Sequence, residues 1–108
     1  MIPRDLRLLH DILAAIAAID THLARGPLSD GLVFDAVRMR LIEIGEASKG
    51  LSLEAQEREP SIPWQDIERM RDHLAHRSFD TLRAIVQGTV DNDLKDLRHA
   101  VDRLLEAT

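Results

Sequence analysis

A chain of 108 residues holds one domain of ordinary size with one hydrophobic core, so residues 1–108 are read as a single domain. Its 44% hydrophobic and 31% charged content excludes an intrinsically disordered chain, and the absence of cysteine excludes disulfides, thiol catalysis and Cys-based zinc sites. The net charge of −5 excludes a broad electrostatic grip on nucleic acid, so any RNA contact must come from a local basic site.

Aromatic residues are scarce and the apolar ones are mainly Leu, Ile and Ala, a mixture that favours helices over strands. The first segment places Leu9, Ile12, Leu13, Ile16, Ile19 and Leu23 at helical spacing, and predicts a helix over about residues 3–25. Pro3 suits its opening turn, and Gly26-Pro27 stops it. Ser29 or Asp30 then caps a second helix whose apolar stripe is Phe34, Val37, Leu41 and Ile44. Lys49-Gly50 reads as its end, with glycine taking the left-handed cap. Gly45 lies inside this helix at a cost of about 1 kcal/mol relative to Ala, which close approach of another helix would offset.

A polar connection, "SLEAQEREPSI", leaves room for one short helical turn. Pro63-Trp64 opens a third helix that carries Ile67, Met70 and Leu74 on its buried face and frays around Arg77-Ser78. Asp80 or Thr81 caps a fourth segment running through Val90, and a last helix follows with Leu94, Leu97, Val101 and Leu104 in an a/d rhythm. No hairpin signal, internal repeat or low-complexity tract interrupts this pattern. The expected fold is all-α, an antiparallel bundle of four to five helices. The N-terminus lacks the apolar core of a signal peptide, and the stretch from Ile12 to Ile19 is too short to span a membrane; a cytoplasmic protein without membrane contact is expected.

The third helix crowds basic residues and histidines into "MRDHLAHRSFD". At about 100° per residue, Arg69, His73, His76 and Arg77 form one polar stripe, while Arg71 points about 140° away from His76. Those two side chains converge only if the helix ends near His76 or a second protomer joins. Asp72, four residues before His76, is placed to orient the imidazole and raise its pKa.

Arg71-Asp72-His73-Leu74-Ala75-His76 resembles the Arg-polar-x-x-x-His motif of the HEPN superfamily of ribonucleases. Over essentially the whole chain, "AVRMRLIEIGEASKGL", "IPWQDIERMRDHLAH" and the leucine-patterned last helix resemble one branch, the HepT-like toxins encoded beside small MNT-type nucleotidyltransferase antitoxins. The resemblance implies a HEPN-like helical bundle forming a two-fold homodimer, with arginine and histidine of both protomers lining one cleft. It implies a metal-independent endoribonuclease that uses the RNA 2′-hydroxyl as internal nucleophile and needs no cofactor. Carried over by position, Arg71 and His76 are the catalytic residues, with Asp72, His73 and Arg77 in support. Histidine titrates near neutrality and serves as base or acid, and arginine holds phosphate oxygens in pairs.

The chain departs from the branch at one point. The motif there usually continues His-x-Tyr, and the tyrosine receives AMP from the antitoxin; here the order is His76-Arg77-Ser78, in a chain with no tyrosine. Neutralisation then works by binding alone, or by modification of Ser78, or the toxin activity has been lost. The competing expectation is accordingly a catalytically weak or inactive HEPN scaffold that binds a nucleotidyltransferase partner or nucleotide.

Four further features have plain readings beside functional ones. His73 and His76 have a spacing that can seat a metal, but no third ligand is evident and no metal is assigned. Glu43 and Glu46 are either surface charge or structural groups near the cleft or dimer seam. Trp64 is expected to close the core as a lid in preference to stacking on a base. The Leu94–Leu104 stripe is core or dimer interface.

Overall fold

Pro3 opens the first helix, α1 (Pro3–Arg25), where its missing N–H costs no intrahelical bond, and Gly26 leaves it in extended conformation. The structure, a computed structural model, describes residues 1–76 and 79–108, with side chains for all of these but His76 and Phe79. Leu9, Ile12, Ile16 and Ile19 recur every three or four residues and are fully buried. They face α2 (Gly31–Gly50), whose Phe34, Val37, Leu41 and Ile44 supply the opposing layer. Asp30 is the cap: its carboxylate accepts from the N–H of Leu32 at 2.9 Å and of Val33 at 3.4 Å.

Gly50 departs from the expected left-handed cap. No described glycine has a positive φ, and Gly50 is still helical, with Leu51 turning away in extended conformation. Its close neighbour is Leu8 on α1, whose Cδ1 would lie 2.8 Å from a Cβ at this position, a contact that a turn of the leucine side chain relieves.

The polar connection contains the short helix α3 (Leu53–Glu57), capped by Ser52, whose hydroxyl accepts from the Ala55 N–H. Ser52 also ties α3 to the start of α1. Its N–H donates to Oδ1 of Asp5 at 2.8 Å and its hydroxyl to Oδ2 at 2.6 Å. Burial pushes the Asp5 carboxyl up, but these two bonds and the nearby Ile2 backbone and Arg4 outweigh it, and its pKa lies below the ordinary value.

Next comes α4 (Trp64–His76). Trp64 is 6% exposed and its indole N–H is shared between the carbonyls of Gln56 and Glu59, both at 3.1 Å, so it closes the core as a lid. The predicted fraying at Arg77-Ser78 lies outside the described residues.

The last third differs from the expected two segments. Helix α5 (Phe79–Gly88), a π-helical turn at Thr89–Asp93 and α6 (Leu94–Glu106) run on without a loop, and Asp80 and Thr81 lie inside α5 instead of capping it. The Leu94 N–H bonds to the Thr89 carbonyl, five residues back. The apolar spacing explains the turn. Leu82, Val86, Val90 and Leu94 are each four apart, a pattern that drifts about 120° around a regular helix. One extra residue takes up about 100° of that drift, so Leu82 and Val86 share the core with Leu94, Leu97, Val101 and Leu104.

In this arrangement α1 packs along α2, α2 along α4, and α6 returns against α1. Arg98 pairs with Asp20 at 2.7 Å and Arg103 with Glu59 at 2.6 Å, fastening α6 at two points. Among the described residues all regular structure is helical, in five rods if α5 to α6 is counted as one, and no helix is long and apolar enough to cross a membrane.

Replacing Asp5 by Ala leaves two partly buried Ser52 donors without their acceptor, and is expected to cost about 1–3 kcal/mol at neutral pH. A carboxyl with a lowered pKa stabilises in full above its unfolded value of about 3.9, and that contribution fades as pH falls through the folded value. The difference in Tm between wild type and D5A should therefore narrow as thermal unfolding is repeated from neutral pH down to about pH 3.

Candidate functional site

The site begins with a glycine. At Gly45 the α4 backbone comes so close to α2 that a Cβ would lie 3.0 Å from the Ile67 carbonyl oxygen and 3.1 Å from Cβ of Arg71. The mid-helix glycine, costly by helix propensity alone, is what admits α4. Two charged side chains of α2 then engage α4 on either side of that contact. Glu46, next to Gly45, accepts from Nε of Arg71 at 2.8 Å. Arg38 donates from Nη1 to the Leu74 carbonyl at 3.1 Å. Leu74 lies in the last described turn of α4, where the helix dipole is negative, so a guanidinium suits the place.

Arg71 is about half exposed, with its guanidinium at the surface between Glu46 and, at 3.6 Å, Asp72. Asp72 is thus placed beside Arg71; its expected role toward the His76 imidazole falls on a side chain outside the described set. His76 is the last described residue of α4. Arg77 and Ser78 lie outside the described residues.

His73 belongs to a different face. It lines a cavity of about 290 Å³ between α4 and the α5–π segment, with Asp66, Met70, Ile85, Thr89 and Asp93. Two positions along a helix separate it from Arg71 by about 160°, so the structure does not bring the two together. Arg69, on the same face as His73, is already paired with Asp66 at 2.7 Å. Asp93 at the cavity wall has a raised pKa, because burial disfavours its charge and Asp96 and Asp66 repel it. No group of three or more His, Cys, Asp or Glu that could hold a metal ion occurs among the described residues.

A groove of about 420 Å³ lies between α1 and α2 and is walled by Asp11, Ala14, Arg40, Glu43 and Glu46. Arg40 is occupied by Glu43 at 3.0 Å and by Nε2 of His22 at 3.3 Å. The groove therefore presents carboxylates and suits no phosphate. Glu43 and Glu46, read as surface charge or as structural groups, divide: Glu43 serves Arg40, and Glu46 serves the motif arginine. Sequence reasoning assigns Arg38 no role, since its partner is a backbone carbonyl 36 residues away. Its one available signal is a cation on the helix that also carries Gly45.

The family model described as "Ribonuclease HepT-like" matches residues 9–104. "Probable ribonuclease HepT" of Thermococcus cleftensis is 31% identical over 100 residues, covering 89% of this chain and 91% of that protein. "Putative RNase TTE0752" of Caldanaerobacter subterraneus is 35% identical over 63 residues, 58% of this chain and 56% of the relative. "Putative RNase MJ0127" of Methanocaldococcus jannaschii is 33% identical over 78 residues, 68% of this chain and 64% of the relative. No solved structure matches.

The close contact at Gly45 makes a direct test of how α4 is seated. Replacing Gly45 by Val is expected to lower stability by about 1–3 kcal/mol despite the better helix propensity, since the branched side chain meets backbone. Thermal or urea unfolding reads the loss.

Proposed function

The chain belongs to the HepT-like ribonuclease family of the HEPN superfamily, and we propose that it is itself a metal-independent endoribonuclease, the toxin of a toxin–antitoxin pair. The observation that carries this reading is Arg71: a half-exposed guanidinium at the motif position, held at the surface five residues before His76, the last described residue of α4. An RNA phosphodiester is cleaved when a base takes the 2′-hydroxyl proton, the 2′-oxygen attacks phosphorus, and an acid protonates the departing 5′-oxygen. The products are a 2′,3′-cyclic phosphate and a 5′-hydroxyl. His76 supplies the base or the acid, and Arg71 stabilises charge on the crowded phosphate.

One chain offers one His76, and on a regular helix Arg71 points about 140° away from it. A two-fold homodimer answers both shortages by doubling the set across one cleft. Support for the seam comes from α2. Leu32 and Met39 are 84% and 53% exposed, and with Glu46 they recur every seven residues, a stripe that stays within about 20° per step. This apolar strip leads to the Arg71–Glu46 pair, so a second copy seated on it would bring its own motif to the same edge.

The proposed partner is an MNT-type nucleotidyltransferase antitoxin. A chain without tyrosine cannot be silenced by tyrosine AMPylation. Neutralisation by binding is the simplest route, with AMP transfer to Ser78 as the covalent one. The same missing tyrosine favours a second reading, an inactive scaffold that binds its partner or nucleotide without cutting RNA.

Incubating the protein with RNA in EDTA should give fragments ending in 2′,3′-cyclic phosphate. Arg71→Ala and His76→Ala should each lower cleavage by at least about a hundredfold while leaving the fold intact by circular dichroism. Single variants as active as wild type would refute the site assignment, and a wild type that never cuts would favour the scaffold. Met39→Glu should shift the protein toward monomer in sedimentation and lower activity with it; a dimer indifferent to that charge places the seam elsewhere.

A further inference from the structure

Glu46 takes no part in the proton transfers above, yet it is the nearer of the two carboxylates that pair with Arg71 among the described residues. An arginine on a helix surface has long, freely turning bonds, and a loose guanidinium reaches a phosphate in the productive geometry only part of the time. The carboxylate engages Nε, the donor nearest the side-chain stem, at 2.8 Å. That fixes the plane of the fork and leaves its outer edge, with Nη2, to meet an anion. Glu46 is itself held in place by its neighbour, because Gly45 fixes how close α2 and α4 lie.

Both side chains are about half exposed, so the pair contributes little to stability. Its effect is on orientation. On the ribonuclease reading, we infer that Glu46 is a positioning residue, which aims the Arg71 guanidinium at the scissile phosphate by accepting a hydrogen bond from Nε. Asp72 at 3.6 Å is too distant to replace it.

The test compares steady-state RNA cleavage by Glu46→Ala, Glu46→Gln, Arg71→Ala and the Glu46→Ala/Arg71→Ala pair. Glu46→Ala should lower kcat on the order of ten- to a hundredfold while KM moves by less than about threefold. Glu46→Gln should restore most of the rate, since its amide oxygen still accepts from Nε. The double variant should be no slower than Arg71→Ala alone, because Glu46 acts only through that arginine. An unchanged or raised kcat in Glu46→Ala, or losses that multiply in the double variant, overturns the inference even when Arg71→Ala is inactive. If Arg71→Ala cuts as well as wild type, the ribonuclease site itself has failed, and the positioning role fails with it.

Discussion

The seating of α4 on α2 at Gly45 is the constraint on which the rest of the site depends. With no Cβ at this position, the Ile67 carbonyl and the Arg71 side chain reach into contact with the α2 backbone. The short distance then puts α2 side chains within reach of α4. Glu46 meets the Arg71 stem, and Arg38, two turns earlier, meets the Leu74 carbonyl of α4. A larger residue at Gly45 would separate the helices and loosen both contacts together. Helix cost and site geometry are thus two sides of one choice: the conformational penalty of a mid-helix glycine is offset by packing that defines where the arginine stands.

The rest of the fold holds that contact from outside. Asp5 and Ser52 join the start of α1 to α3, Trp64 closes the layer above α4, and the ion pairs of Arg98 and Arg103 fasten α6. The π turn keeps α5 and α6 on the same core, and it also forms one wall of the His73 cavity. Much of the positive charge is spent locally: Arg40, Arg58, Arg69, Arg98 and Arg103 each meet a carboxylate within the chain. Arg71 differs from these in its place, the motif position on α4, beside the close contact of that helix with Gly45.

What the sequence disclosed and what it hid depend on distance along the chain. The bounds of α1, the Asp30 cap, the helical turn in the polar connection and the lid role of Trp64 rest on residues close in sequence, and in each the structure agrees with the expectation. Gly50 reads as a left-handed cap because local rules know only φ, whereas its real neighbour is Leu8 on another helix. The Arg38 and Glu46 contacts are hidden for the same reason. The π turn is a different case. Its signal, apolar residues at successive steps of four, is present in Leu82, Val86, Val90 and Leu94. Local rules take that spacing for a break because regular helices do not keep it.

The separation of Arg71 from the histidine face of α4 gives the composite-cleft reading its physical content. Arg71 is drawn to the α2 side by Glu46, while His73, on the opposite side, is enclosed by α5 and the π turn. On a regular helix, positions five apart such as 71 and 76 lie about 140° from each other. On the composite-cleft reading, a cation and two proton-transfer groups around one phosphate come from two copies of the motif. The strip of Leu32 and Met39 runs along the same α2 edge that carries Glu46, so burial of apolar surface and completion of the site favour the same encounter. On this reading dimerisation is part of catalysis: separated protomers would each keep a folded core and an oriented arginine, and lack the second imidazole.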